Sequence, residues 1–145
     1  MDNTALSLIL PMVLVVLANT LYNIFAKSTP GDVSPFAALI FTYITATIVT
    51  VILFFVISKP ENVVFELSKI NWTSVALGIA IVGLETGYIL IYRAGWKVSN
   101  ASVVANICLA CTLLIVGFVI YKENISLKQI LGIVICIIGL ILVTK

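Results

Sequence analysis

Long apolar stretches separated by short polar connections organise this chain. Five such stretches run over about 6–26, 35–57, 72–96, 101–121 and 127–143. Each has about the 17–25 predominantly apolar residues that an α-helix needs to cross a bilayer. The pattern predicts an all-α, multi-pass integral membrane protein with five transmembrane helices, built as one domain over residues 1–145.

The composition agrees with a membrane protein that has almost no soluble portion. The 145 residues are 62% hydrophobic and 10% charged, with a mean hydropathy of +1.26, whereas a soluble domain is about 45–50% apolar and about 25% charged. The net charge of +2 is spread along the chain and indicates no nucleic-acid surface. The chain has no histidine, which excludes histidine-based catalysis and histidine metal ligands. We expect no cofactor and no metal.

The cysteine positions indicate helix packing and not a metal or redox site. Cys108 and Cys111 have CxxC spacing, but no second pair and no histidine accompany them, and Cys136 lies in another apolar stretch. We interpret all three as small residues at helix contacts.

A carboxylate interrupts the third apolar stretch near its middle. Glu85 lies far along this stretch from the polar Asn71 that precedes it. A charged side chain at the bilayer centre costs about 2.5–3.5 kcal/mol on insertion scales. It is kept only if it pairs, faces a wet cavity or carries a proton. Glu85 is therefore the leading functional residue, and a structural acid that is buried in protonated form is the alternative.

The third helix presents two different faces. Gly83 and Gly87 form a GxxxG pair on one side, and at about 100° per residue Glu85 lies about 200° from each of them. The glycine side predicts close helix packing. The acid side carries aromatic candidates for substrate binding, namely Tyr88, Tyr92 and Trp96. Arg93 lies about 12 Å along the axis from Glu85, so we expect it to extend to the membrane interface and not to pair with the acid.

Polar residues on other helices add weaker candidates. Asn19, Asn23 and Lys27 fall at steps of four in the first stretch and share one face. They either form helix–helix hydrogen bonds or line a cavity. Asn106 is the strongly polar residue inside the fourth stretch. A milder stripe on the second stretch is interpreted as hydroxyls bonded to their own backbone, at Tyr43, Thr47 and Thr50.

Local signals predict the helix ends and a second packing stripe. Asn71 and Ser99-Asn100 are expected to cap helices, Ser34-Pro35 has the pattern of an N-cap followed by proline, and Ser126 with Gln129 has the capping-box pattern. Residues 59–71 are expected to form a short amphipathic segment in the membrane interface. Small residues at helical spacing on the last stretch predict tight helix contact: Gly132, Cys136 and Gly139.

The basic residues do not select an orientation. With the N-terminus inside, four cations fall on each side of the membrane, so the positive-inside rule gives a tie. A tie is what a dual-topology protein shows, in which the chain inserts both ways and pairs antiparallel. The inner set is Lys59, Lys69, Lys122 and Lys128, and the outer set is Lys27, Arg93, Lys97 and Lys145.

Several of these patterns together resemble a known family. The residues concerned are Tyr92, the Ser99–Ser102 segment, the Tyr121–Ser126 segment, Gln129, Gly132 and Gly139, with a looser likeness through Asn23, Lys27 and Ser34-Pro35. On these residues the chain resembles a single EamA-type unit of the drug/metabolite transporter superfamily. One departure is the absence of the proline usual in the fourth helix, where Ala110-Cys111 stands.

The resemblance implies half of an inverted-repeat transporter, which an antiparallel homodimer would complete. The expected function is that of a secondary transporter in the cell membrane, an exporter of a small organic metabolite or cation, with proton coupling through Glu85. Tyr88, Tyr92 and Trp96 would supply aromatic faces, and Asn19, Asn23 and Asn106 neutral hydrogen bonds. The identity of the substrate is open.

Two other functions are weighed against transport. The chain could be a non-transporting subunit of a heteromeric lipid-carrier flippase, or a structural helix bundle, with Glu85 permanently paired to Lys27 or Arg93. An intramembrane enzyme is disfavoured, because one acid stands alone in the membrane and no serine–lysine pair has suitable spacing.

Overall fold

The fold was obtained as a computed structural model that describes residues 3–124 and 126–144. Every regular element described is helical. The long helices are α1 (Asn3–Ser28), α2 (Pro35–Leu53), α4 (Trp72–Arg93), α5 (Val98–Val119) and α6 (Leu127–Thr144), and α3 (Val63–Ser68) is short. A π-helical turn, Phe54–Ser58, extends α2. The predicted all-α architecture is confirmed for this part of the chain.

Four of the described helices are long and apolar enough to cross a membrane. They provide the spans Ile9–Ser28, Pro35–Ser58, Trp72–Arg93 and Val98–Val119. Helix α6 coincides with the fifth predicted span, and its apolar stretch within the described residues is the shorter Leu127–Gly139. The count of five spans therefore stays a prediction. Lys145, which the orientation argument counts, lies outside the described residues.

Side-chain caps form at the predicted starts of α4 and α6. The Asn71 side chain accepts a hydrogen bond of 2.9 Å from the Thr73 backbone N–H. At α6 the Gln129 N–H donates to Ser126 Oγ at 3.3 Å, and the Ser126 N–H donates to Gln129 Oε1 at 2.8 Å. These reciprocal bonds satisfy backbone donors that a helix start leaves free.

Other helix ends differ from the prediction. Helix α4 ends at Arg93, before the expected Trp96, because Gly95 adopts a φ of 92° that turns the chain out of the helix. Helix α5 then begins at Val98, ahead of the expected Ala101, and Lys97 takes the N-cap position predicted for Ser99-Asn100.

The predicted segment between the second and third spans contains α3. Asn62 caps it by accepting from the Phe65 N–H at 3.1 Å. On its surface Lys69 pairs with Glu66 at 2.7 Å. Both partners are well exposed, so this ion pair contributes little to stability.

The chain divides into two units, residues 1–94 and 95–145. In the first unit, α1 and α2 each pack on α4. Arg93, at the end of α4, holds the connection between α1 and α2, because its guanidinium donates to the Pro30 carbonyl at 3.0 Å and also to the Val33 carbonyl. The sequence predicted neither of these backbone partners, and the expectation that Arg93 extends to the membrane interface stays a prediction.

The second unit is a hairpin in which α5 packs on α6. Lys122 takes the left-handed conformation in the connecting turn, and the Glu123 N–H bonds to the Gly117 carbonyl at 3.0 Å. The Glu123 side chain covers Gly117, where an added Cβ would meet its carboxylate oxygen at 2.7 Å.

The glycines of the predicted packing faces have space for a larger side chain. A Cβ added at Gly83 or Gly87 would have no heavy atom within 4 Å, and the same is true at Gly132 and Gly139. Cys136 is exposed as well. The packing predicted for these faces stays a prediction.

Candidate functional site

A cleft in the first unit contains Glu85. It lies between α1 and α2, with α4 as its floor, and has a volume of about 570 Å³. Glu85 and Ile89 of α4 form the floor, and the walls are mainly apolar. The wall residues are Tyr22, Phe25, Ala26 and Thr29 of the first helix and its end, and Ala38, Leu39, Phe41, Thr42, Thr45 and Ala46 of α2.

Helical spacing on α4 explains why Glu85 faces the cleft. Ile89 and Tyr92 are buried, and Glu85 lies one and two turns before them on the same side. Gly83 and Gly87 occupy the other side, as the sequence predicts. The acid is therefore on the face that packs within the unit, near the middle of a helix suited to cross the membrane.

Two tyrosines surround the Glu85 carboxyl. The hydroxyls of Tyr22 on α1 and Tyr43 on α2 both lie within electrostatic range of it. Both hydroxyls are buried, the Tyr43 hydroxyl is directed toward Glu85, and neither has another hydrogen-bond partner among the described residues. Three helices thus bring one acid and two phenols together.

A chain of hydrogen bonds joins α1 to α4 beside the cleft. Asn23 and Tyr92 are 3% and 4% exposed, and the Tyr92 hydroxyl donates to Asn23 Oδ1. Asn23 Nδ2 in turn donates to Asn19 Oδ1 at 2.9 Å and to the Asn19 carbonyl at 2.7 Å. Of the two interpretations of the asparagine stripe, these contacts match helix–helix hydrogen bonding. We call Asn19, Asn23 and Tyr92 the polar clamp.

Aromatic rings continue from the cleft to the polar clamp. The Tyr22 and Tyr88 rings meet edge to face with centroids 5.5 Å apart, and the Tyr88 and Tyr92 centroids are 6.1 Å apart. Lys27 Nζ donates to the Tyr92 carbonyl at 3.3 Å and lies 5.8 Å from the Tyr92 ring centroid. Tyr88 therefore bridges the cleft tyrosine and the clamp.

The other two predicted site residues belong to the second unit. Trp96 is 43% exposed and follows Gly95 in the turn before α5. Asn106 is exposed on α5, and its amide donates to Ser102 Oγ at 3.3 Å. Neither is among the residues that line the cleft.

The sequence interpretation missed several residues that line the cleft or lie beside Glu85. Tyr22 lies between Asn19 and Asn23 and was not singled out, and Tyr43 was assigned to a stripe without function. A signal was present on α2, because small or hydroxylated residues recur at helical spacing beside that stripe: Ala38, Thr42, Thr45 and Ala46.

The described residues contain no group of three or more acidic or cysteine side chains that could hold a metal ion. The two cations that the sequence analysis named as possible partners of Glu85 both bond to backbone carbonyls. Lys27 binds the Tyr92 carbonyl, and Arg93 binds the carbonyls of Pro30 and Val33. For Arg93 these contacts differ from the structural alternative, in which Glu85 pairs permanently with Lys27 or Arg93 of a neighbouring helix.

Several apolar helices define a multi-pass integral membrane protein. The chain matches the EamA-like transporter family over residues 6–145, and it belongs to that family. Comparison with curated proteins and with solved structures gave no significant match.

Proposed function

We propose that this protein is a secondary transporter, an exporter, for a small organic metabolite or cation, with Glu85 as the residue that binds substrate and proton in turn. The observation that carries the proposal is the position of Glu85 on the floor of the α1–α2 cleft, in a helix suited to cross the membrane. A carboxylate within a membrane helix is energetically costly, and residues of this kind commonly mark the path of a substrate or a proton.

The proposed mechanism uses competition for one carboxylate. A cation in the cleft pairs with ionised Glu85, and the apolar walls contact its hydrocarbon part. A proton arriving at Glu85 removes the negative charge and thus releases the cation. The tyrosine hydroxyls stabilise the carboxylate between these events, when it holds neither. The proton adds to and leaves the Glu85 carboxylate, and the transported cation itself is chemically unchanged, so the proposal is for a transporter and not an enzyme.

The proposal includes an antiparallel homodimer. The four-to-four tie of basic residues supports insertion in both orientations. The open faces at Gly83 and Gly87 and at Gly132 and Gly139 supply room for close helix contact between copies. Alternating access would then come from rocking of two oppositely oriented copies.

Transport can be tested with the full chain in liposomes. Labelled benzylguanidinium is a suitable probe, because it stays charged near neutral pH and crosses lipid slowly. We expect acid-inside proteoliposomes to take it up faster than protein-free liposomes, and nigericin, which collapses the proton gradient, to abolish the difference. Uptake equal to that of protein-free liposomes would refute the proposed function, and uptake indifferent to nigericin would refute proton coupling.

The orientation is tested with two single-cysteine variants, one in the connection before α2 and one in the connection after it, which lie on opposite sides of the membrane if α2 spans it. In a variant without Cys108, Cys111 and Cys136, Gly31→Cys or Glu61→Cys is labelled from one side with a membrane-impermeant maleimide. Both positions lie in exposed connections. We expect about half-labelling of each, as coexisting orientations require. Complete labelling at one position and none at the other would contradict the antiparallel homodimer.

A further inference from the structure

We propose that the α1–α2 cleft selects cations that carry N–H donors over cations of similar size that have none, and that the Oγ atoms of Thr42 and Thr45 make this selection. The inference rests on the proposed function, since it names the substrate class of the Glu85 site.

The hydroxyl oxygens of Thr42 and Thr45 act as hydrogen-bond acceptors in the cleft, because each hydroxyl already donates its hydrogen to a backbone carbonyl of its own helix. Thr42 Oγ donates to the Ala38 carbonyl at 3.1 Å, and Thr45 Oγ donates to the Phe41 carbonyl at 2.9 Å. A hydroxyl has one donor hydrogen and two acceptor lone pairs. With the hydrogen bonded to the helix backbone, each oxygen can only accept from a ligand.

The other polar groups of the cleft also offer a ligand mainly hydrogen-bond acceptors. Ionised Glu85 accepts and cannot donate. Thr29 Oγ, at the end of the α1 wall, donates to the Phe25 carbonyl at 3.2 Å. The Tyr22 hydroxyl lies within electrostatic range of Glu85 and can direct its hydrogen to that carboxylate. The described residues that line the cleft include no lysine, arginine, asparagine or glutamine.

This arrangement distinguishes two kinds of cation. An ammonium with N–H groups can pair with Glu85 and also donate to the threonine oxygens, which recovers hydrogen bonds that it loses on leaving water. A quaternary ammonium has no donor, so it gains only charge attraction and apolar contact. Entry of the quaternary ion also removes water from the threonine oxygens without replacing its hydrogen bonds, which is unfavourable.

Two benzyl cations test the selection. Benzylammonium and benzyltrimethylammonium differ only in their N–H groups and three methyls, and the methyls by themselves favour the quaternary ion in an apolar cleft. Calorimetric titration of the purified full chain in detergent at neutral pH is expected to show benzylammonium binding about tenfold tighter. Equal or tighter binding of benzyltrimethylammonium overturns the inference but leaves a cation site standing. Binding of neither probe overturns the proposed function as well.

Variants assign the selection to the threonines. Thr42→Val with Thr45→Val keeps the side-chain shape and removes both oxygens, and it should weaken benzylammonium binding about five- to tenfold while leaving benzyltrimethylammonium nearly unchanged. Thr47→Val is the matched control. Thr47 Oγ also donates to its own helix, at 2.7 Å to the Tyr43 carbonyl, but does not line the cleft.

A second, conservative double variant shows whether the loss of selection comes from the missing oxygens or from altered folding. Thr42→Ser with Thr45→Ser retains both oxygens, so it should preserve the preference for benzylammonium. If the valine variant keeps the wild-type preference, or if the serine variant loses it as fully as the valine variant does, the threonine oxygens are not the selecting groups.

Discussion

Replacing Glu85 with glutamine is expected to abolish proton-driven uptake of benzylguanidinium. The amide has nearly the shape of the acid but cannot bind a proton or attract a cation by charge. Truncating one partner of a buried charge pair costs about 2–5 kcal/mol, which corresponds to roughly thirtyfold or more weaker binding. Initial uptake rates in acid-inside proteoliposomes measure the loss of transport, and titration with benzylammonium measures the loss of binding.

Glu66→Gln is the matched control for this experiment. It makes the same chemical change on α3, where the acid lies in an exposed ion pair with Lys69, and it should transport as the wild type does. Folding of the Glu85 variant is checked by its elution from size-exclusion chromatography. A well-folded Glu85→Gln protein that keeps full pH-dependent uptake would show that this acid has a structural role.

The second large effect is a loss of stability, which we expect when the hydrogen bonds of the polar clamp are removed. Asn23→Leu removes the acceptor of the Tyr92 hydroxyl and the donor to Asn19, in a region where Asn23 and Tyr92 are both buried. A buried polar group left without a partner costs about 1–3 kcal/mol. We expect the free energy of unfolding, measured by titration with SDS in mixed micelles at fixed protein concentration, to fall by about that amount.

A double-mutant cycle separates the clamp bond from packing. Tyr92→Phe removes the hydroxyl that Asn23→Leu leaves unpaired, so the double variant should be less destabilised than the sum of the single variants. Tyr121→Phe, at a tyrosine that is 71% exposed, is the control and should be nearly neutral. Additive effects in the cycle would mean that the Tyr92–Asn23 bond does not hold α1 to α4.

The sequence predicted where the helices lie better than it predicted which residues contact one another between them. Apolar length located the membrane helices, and cap residues at Asn71 and Ser126 marked two helix starts because those signals act within one turn. The partners of Arg93 were not predicted for a related reason. Its partners, the carbonyls of Pro30 and Val33, are distant in sequence, and no local pattern announces a backbone acceptor.

The candidate site was predicted in part. Glu85 was identified because an isolated acid in an apolar helix is costly wherever the helix packs. Tyr22 and Tyr43 were not identified as its neighbours, since each reaches the acid from a different helix. Asn23 and Tyr92 were both named, yet the sequence offered no reason to expect that they bond to each other.

By itself, therefore, the sequence determined the membrane class, the approximate extent of the helices and the presence of an acid within one of them. The tertiary structure alone decided which helix faces meet, and with that the cleft, the two phenols beside Glu85 and the polar clamp. The physical reason is that lipid is as apolar as the side chains of a membrane helix. Apolar periodicity, which reveals the buried face of a helix in water, consequently carries little information about which face of a membrane helix packs.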